Sequence, residues 1–178
     1  MMQLRELRVT GTGKQNAIIR FAPGGNIIAG VSNSGKSYML RCMDFVLGAD
    51  EMTKKIDEDA GYESVYLEFV NDKGKPLTLI RHLTGGDVTV HYSTIDAIQG
   101  EGTVVAWRRQ GKSTNPDVSS IFLPFAGMKE ARLRANSRGT TNRLTVRTLL
   151  PAFLVDERTK NKRPTRAGRC GSLRAHII

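Results

Sequence analysis

The chain is short of cysteine and of long apolar runs, and both shortages exclude classes of protein. Only Cys42 and Cys170 occur among 178 residues, too few for a disulfide framework, so we expect free thiols in a reducing compartment. No apolar stretch approaches the roughly 20 residues of a membrane span, and Met1 to Arg5 does not resemble the start of a secretory signal. These features predict a cytoplasmic protein with no membrane partner.

Acidic residues are absent from the end of the sequence, and this uneven charge divides the chain. The net charge is +10, yet residues 1–99 carry 11 basic and 12 acidic side chains, whereas residues 158–178 carry 7 basic and none acidic. We therefore predict one domain over residues 1–157, large enough for its own core, and a basic, disordered tail over 158–178. Such a tail is either a solvated end or a contact for nucleic acid.

The central motif of the sequence is Gly30–Ser37, which fits the phosphate-binding pattern G-x-x-x-x-G-K-[ST] without a mismatch. The apolar run Asn26 to Ala29 precedes it and predicts a buried strand. The segment Tyr38 to Leu47 follows with apolar residues at helical spacing and stops at Gly48, which predicts a helix. Strand, glycine-rich loop and helix are the setting that this motif requires, so the motif predicts a nucleoside triphosphate site.

Each residue type in the loop has a physical role in such a site. Gly30 and Gly35 permit backbone angles and close approaches that a Cβ would block. The loop amides and the positive end of the following helix can then hold phosphate oxygens. Lys36 is the candidate catalytic cation for the β- and γ-phosphates, and the Ser37 hydroxyl is the candidate Mg²⁺ ligand. The predicted nucleotide-binding residues are Gly30, Val31, Ser32, Asn33, Ser34, Gly35, Lys36 and Ser37.

The remaining pattern predicts a mixed α/β (α+β) domain. Alternating apolar residues indicate strands, three of which follow one another with short turns and predict an antiparallel meander. The predicted strands are Leu4 to Val9, Ala17 to Phe21, Ser64 to Val70, Leu77 to Leu83, Val88 to Tyr92 and Ala152 to Val155. Asp117 is the predicted cap of a helix running to Pro124 or beyond, and Thr145 to Leu150 predicts a short helix. Residues 93–116 carry no clear pattern, and 127–143 are expected to be loop.

Several of these motifs together resemble a known family of ATPases. The quoted stretches are F-x-P-G-x-N-I-I-x-G into the phosphate loop, D-F-x-L-G after it, and L-x-R-x-L-x-G-G in the meander. They resemble the N-terminal half-domain of SMC/RecN/SbcC-type, ABC-like ATPases of chromosome maintenance and DNA repair, over roughly residues 2–157. The resemblance implies a P-loop NTPase-like half-domain with a mixed sheet, and ATP with Mg²⁺ as its ligands.

The same resemblance implies that this chain holds half of a composite ATPase. In the family a coiled coil and a C-terminal lobe with a signature loop follow, but here there is no LSGGQ-like stretch and no heptad pattern after Arg158. The hypothesis is a truncated or frame-shifted copy whose partner is the C-terminal lobe or a second ATPase head, with DNA as a further partner. We expect weak or no hydrolysis from this chain alone, and an exposed apolar edge that promotes aggregation.

Asp156 and Glu157 have three interpretations that the sequence leaves open. Phe153 to Glu157 fits the Walker B form, in which Asp156 would hold Mg²⁺ through water and Glu157 would be the catalytic acid that polarises the attacking water. By the resemblance, the stretch instead occupies the position of the family's Q-loop, with Asp156 in place of glutamine. The third interpretation is an acid pair that ends a strand in solvent.

Two further function classes remain open beside the composite ATPase. A self-sufficient small P-loop enzyme, such as a nucleotide kinase or GTPase, would use Asp156 and Glu157 as its own acids, although no guanine-reading N-K-x-D occurs. An interaction module or inactive remnant would have no activity.

Isolated polar residues give weaker candidates. Lys14 occupies a turn where the family places a basic residue near the α-phosphate, and Asp44 lies in the helix after the loop. Arg108 and Arg109 beside Trp107 are a candidate platform for a base. His82 and His91 lie in predicted strands without partners at metal spacing.

Overall fold

Alternating apolar residues in the first hundred positions build an antiparallel sheet. The computed structural model describes residues 2–31, 34–52, 61–111, 113–129, 131–134 and 139–154. The strands are β1 Gln3–Thr10, β2 Ala17–Arg20, β3 Ser64–Val70, β4 Pro76–His82, β5 Val88–His91, β6 Thr103–Val105, β7 Arg132–Arg134 and β8 Thr141–Arg143. The helices are α1 Lys36–Val46, α2 Val118–Phe125 and α3 Val146–Phe153, with a 3₁₀ turn at Ile95–Ala97.

Six strands form one sheet in the order β2-β1-β3-β4-β5-β6. The predicted meander is confirmed: β3, β4 and β5 pair in sequence, and tight turns such as Asn71 to Gly74 connect them. The expectation of a mixed sheet is wrong for the described residues, because every strand pairing in this sheet is antiparallel. The stretch predicted to be a buried strand, Asn26 to Ala29, pairs with none of the described strands.

One face of the sheet carries the apolar core and α1 packs against it. The register places Leu7 opposite Leu67, Leu67 opposite Leu79, and Leu79 opposite Val90, so the buried side chains form a row across four strands. The helix contributes its apolar face, which is buried at Met39, Cys42, Met43, Phe45 and Val46. This packing fixes the axis of the helix that follows the phosphate loop.

The C-terminal end of α1 is capped by a glycine and by a buried arginine. Gly48 has φ 110°, and its amide and that of Ala49 donate to the carbonyls of Phe45 and Asp44, which is a Schellman arrangement. Arg81 of β4 is 1% exposed, and its Nη1 donates to the Phe45 and Ala49 carbonyls at 2.6 Å each. Burial lowers the pKa of Arg81 to about 10, so its guanidinium remains charged at neutral pH.

Two aromatic rings complete the surroundings of Arg81. Its guanidinium carbon lies 4.0 Å from the ring centre of Phe45 and 5.2 Å from that of Trp107. These distances allow cation–π attraction, which is stronger where water is excluded. The arginine thereby joins α1, β4 and the segment after β6 in one buried contact.

The second half of the described chain is organised by Asp117. Its carboxylate accepts from the Ser120 amide while the Ser120 hydroxyl accepts from the Asp117 amide, which confirms the predicted cap of α2. Arg143 of β8 donates to the same carboxylate at 2.9 and 3.0 Å. The hairpin β7–β8 lies within residues that were expected to be loop, and Asp117 holds it against α2.

The predicted strand at Ala152 to Val155 is wrong for the described part of it. Ala152 and Phe153 belong to α3, which begins at a Thr145 cap, and the Leu154 amide donates to the Leu150 carbonyl at 2.7 Å. Val155 lies outside the described residues. An apolar run of four residues does not distinguish a strand from the last turn of a helix, and here the preceding cap sets the outcome.

Candidate nucleotide-binding site

Lys36 lies inside the loop that the motif predicted to bind phosphate. Its Nζ donates to the carbonyl oxygens of Gly30 and Val31 at 2.6 Å each and contacts the Ser34 hydroxyl at 3.1 Å. An ammonium has three donors, so the loop provides an acceptor for each of them. The described part of the loop therefore surrounds the Lys36 ammonium, which is the group that the motif predicts to bind phosphate.

Both motif glycines occupy positions where a side chain would interfere. A Cβ on Gly30 would lie 2.9 Å from the Ser34 hydroxyl oxygen, so the loop could not close as tightly. Gly35 has φ 80° as the N-cap residue of α1, a conformation that side chains disfavour. These two constraints are local, which is why the sequence pattern alone could indicate them.

The start of α1 offers further groups suited to an anion. The Met39 amide makes the first helical hydrogen bond, to the Gly35 carbonyl at 3.0 Å. The amides of Lys36, Ser37 and Tyr38 precede it at the positive end of an 11-residue helix, where donors have no partner within the helix. The Ser37 side chain is exposed beside them. Lys36, whose ammonium donates to the Gly30 carbonyl, lies beside these amides and the Ser37 hydroxyl. Together these groups are suited to binding a phosphate with its Mg²⁺.

The segment before the loop differs from its prediction. Residues 22–31 are exposed throughout, and Ile27 is 94% exposed although it was expected to be buried in a strand. A strand needs a neighbour for its amides and carbonyls, and no described strand pairs with Asn26 to Ala29. Asn26 instead binds the Ala22 and Gly24 carbonyls and closes a small loop. Ile27, Ile28 and Val31 are exposed in this segment, whereas the predicted exposed apolar edge of the sheet stays a prediction.

Four predicted site residues lie outside the described residues. They are Ser32 and Asn33 in the loop, and Asp156 and Glu157 beyond α3. The three interpretations of the acid pair therefore stay open.

The isolated polar candidates each have an ordinary structural contact. Asp44 pairs with Arg147 of α3 at 3.2 and 3.3 Å, so it joins two helices. The Lys14 side chain lies over Gly61. The His82 ring contacts the Ser64 hydroxyl at 3.2 Å, and His91 packs against Gly102. Within the described residues, no group of three or more His, Cys, Asp or Glu side chains could hold a metal ion.

Arginine side chains already contact the ring of Trp107, the candidate platform for a base. The Arg108 guanidinium lies 4.6 Å from the indole ring centre and forms an ion pair with Asp50 at 3.0 Å, while Arg81 approaches the same indole. Arg109 makes no such contact and lines an open pocket instead.

No protein-family model matches the chain, and no curated protein matches it. The family resemblance thus depends on the motifs quoted above. None of the helices in the described ranges is both long and apolar enough to cross a membrane.

Proposed function

We propose that the chain is the ATP-binding N-terminal lobe of an SMC-like ATPase that acts in DNA repair or chromosome maintenance. The observation that carries the proposal is the seating of Lys36 within Gly30–Ser37 at the start of α1, with left-handed Gly35 at the junction. The loop sequence, its glycine conformation and the position of the lysine agree with a phosphate-binding role.

In this proposal, nucleotide binding replaces the hydrogen-bond acceptors of the Lys36 ammonium. In the structure, Lys36 is held by neutral carbonyl oxygens. A phosphate oxygen carries charge and makes a stronger bond to an ammonium than a carbonyl does, so the β- and γ-phosphates displace the loop carbonyls. The amides of Lys36 and Ser37 at the start of α1 would take further phosphate oxygens, and Ser37 would hold the Mg²⁺ that neutralises the triphosphate.

Hydrolysis in this proposal requires a second lobe. Groups that stabilise the transition state must be positioned before reaction, and the quoted motifs include no signature loop to complete the site. The exposed Ile27, Ile28 and Val31 support a missing partner, because neighbouring apolar side chains that are exposed to water commonly mark an interaction surface. The C-terminal lobe or a second ATPase head is the proposed partner, with DNA as a further partner.

The test is calorimetric titration of Mg²⁺-ATP into wild type, Lys36→Ala and Lys73→Ala, with phosphate release followed in parallel. Lys73 is an exposed turn lysine on the far hairpin of the meander, so its variant removes the same charge elsewhere. We expect wild type and Lys73→Ala to bind alike, and Lys36→Ala to bind at least about tenfold more weakly, as loss of a charge-assisted bond implies.

Two outcomes would contradict the proposal in different ways. Lys36-dependent turnover by the chain alone would indicate a complete enzyme with Asp156 and Glu157 as its acids. Equal affinity of all three proteins, or no binding at all, would indicate a remnant without a nucleotide site.

A further inference from the structure

A pocket of ≈ 330 Å³ lies beside the end of β6, and none of the described residues of the phosphate loop lines it. Its polar lining comes from Asp87 before β5 and from the segment after β6, at Arg108, Arg109, Gln110, Ser113 and Asn115. The volume falls at the lower end of the range for small-molecule sites. It is large enough for one phosphorylated group with part of a ring.

The two arginines of this pocket differ in what they bind. The Arg108 guanidinium is committed to Asp50 and to the Trp107 ring. The Arg109 side chain has no hydrogen bond or ion pair within the described part of the chain, and its Nε is buried without an acceptor. A buried donor without a partner is unfavourable, because it has lost its hydrogen bonds to water. An anion that entered the pocket would meet the Arg109 guanidinium, which has no ion-pair partner among the described residues.

The backbone around Arg109 is fixed, although its side chain is unpartnered. The Arg109 amide donates to the Asp117 carboxylate at 3.3 Å. Beyond it, the Ser113 amide donates to the Gln110 carbonyl at 3.1 Å, and the Asn115 amide donates to the Ser113 hydroxyl at 3.2 Å. The loop is therefore held in place with the amide side chains of Gln110 and Asn115 along the pocket. Such amides can bind the edges of nucleobases.

The carboxylate that holds Arg109 also holds a basic hairpin. Asp117 accepts from Arg143 of β8, and β8 pairs with β7, where Arg132 and Arg134 are exposed. Positive charge thus extends from the pocket along the hairpin. An extended polyanion could follow this surface with one of its units in the pocket.

We propose that this pocket binds a phosphorylated nucleoside, with the phosphate on Arg109 and the base edge at Gln110 and Asn115. The ligand is either a free nucleotide or one unit of a single-stranded nucleic acid that continues along β7–β8. The site is distinct from the phosphate loop. Asp87 opposes the phosphate charge and limits the affinity.

The test uses the full chain with Lys36→Ala, so that the phosphate loop contributes no signal. The probes are the four nucleoside monophosphates and fluorescent single-stranded DNA octamers, titrated by calorimetry and by anisotropy. The added variants are Arg109→Gln, Asp87→Asn and, as a charge-matched control, Lys73→Gln. Thermal unfolding of each variant checks that the fold is retained.

We expect Arg109→Gln to weaken binding about tenfold or more, Asp87→Asn to strengthen it severalfold, and Lys73→Gln to leave it unchanged. For the octamers, Arg109→Gln should also reduce the slope of log affinity against log salt by about 0.7, the value for one lost phosphate contact on a single strand. Monophosphates binding as tightly as octamers would identify a free nucleotide; octamers binding much more tightly would identify a strand.

Equal weakening by Arg109→Gln and Lys73→Gln would overturn the proposal, since it would show only general charge attraction. Absence of binding by every probe would overturn it as well. Neither result would affect the Mg²⁺-ATP titration of the phosphate loop, which uses Lys36 as its own reference.

Discussion

The two ends of α1 are built in opposite ways. At the C-terminal end, Gly48 closes the last turn and the buried Arg81 donates to the carbonyls of Phe45 and Ala49. At the N-terminal end, Gly35 and Ser37 are exposed, and the Lys36 ammonium bonds only to its own loop. At the C-terminal end, the hydrogen-bond partners come from other parts of the domain, whereas at the N-terminal end the loop itself supplies the partners of the Lys36 ammonium.

This difference separates a terminus fixed within the fold from an exposed terminus that the proposed function would use. Polar groups that are buried must find partners within the fold, because an unmatched group costs free energy. Groups at the exposed end can exchange their partners at little cost, since water and ligands compete for them. Substitutions at the two ends should therefore change different measured quantities.

Arg81→Met should cause the largest loss of stability. Methionine fills the space but removes the three hydrogen bonds that Arg81 donates to the carbonyls of Phe45, Ala49 and Gly86, and a hydrogen bond from a charged group contributes about 1.5–3 kcal/mol. We expect a decrease of about 4 kcal/mol in the free energy of unfolding, measured by urea denaturation. Lys73→Met is the control and should change it by less than about 0.5 kcal/mol. A loss below about 1 kcal/mol at position 81 would show that packing, rather than the cap, secures this end.

Gly48→Ala should have an intermediate effect at the same end. The glycine has φ 110°, and a Cβ would lie 2.9 Å from the Trp107 carbonyl oxygen, so both strain and a clash result. We expect a loss of about 2 kcal/mol. The matched control is Gly74→Ala, at φ 71° with no atom within 4 Å of the added carbon, which should lose about 1 kcal/mol from the backbone alone. Equal losses at the two positions in parallel urea titrations would remove the close approach from the explanation.

Lys36→Ala should have the smallest effect on stability. The contacts it removes are exposed, and surface contacts of this kind contribute less than about 0.5 kcal/mol. The free energy of unfolding without nucleotide, measured by urea denaturation, should therefore match that of wild type within this limit. A loss comparable to that of Gly48→Ala would mean that the lysine supports the fold of the loop, and the contrast between the two ends would fail.

Patterns that repeat along the chain predicted most of the fold. The helical spacing in α1 and the alternation in β3, β4 and β5 each extend over many residues, and the Asp117 cap is a local signal, so all were confirmed. Arg81 could also have been found, since it continues the buried alternation of Leu77 and Leu79. The hairpin β7–β8 has no such pattern, because Leu133 is its only large apolar residue.

Predictions that required distant partners were less successful. Asn26 to Ala29 has the composition of a strand but finds no neighbour among the described residues, so composition alone misled. In the candidate site, the geometry of Gly30, Gly35 and Lys36 follows from local steric rules and was predictable. The pocket at Arg109 was not, because it depends on Asp87 and Asp117, which come from other parts of the chain.

The strand order has a consequence for how the domain reaches its folded state. The pairs β3–β4, β4–β5 and β5–β6 join neighbours in sequence, but β1 meets β3 across an interval that contains β2, the phosphate loop and α1. Closing a long interval costs entropy before any contact compensates for it. We therefore expect the meander to form early and the nucleotide loop to be enclosed last, an order that pulse-labelled amide exchange would resolve. Until β1 docks, Lys36 would belong to a segment held at one end only.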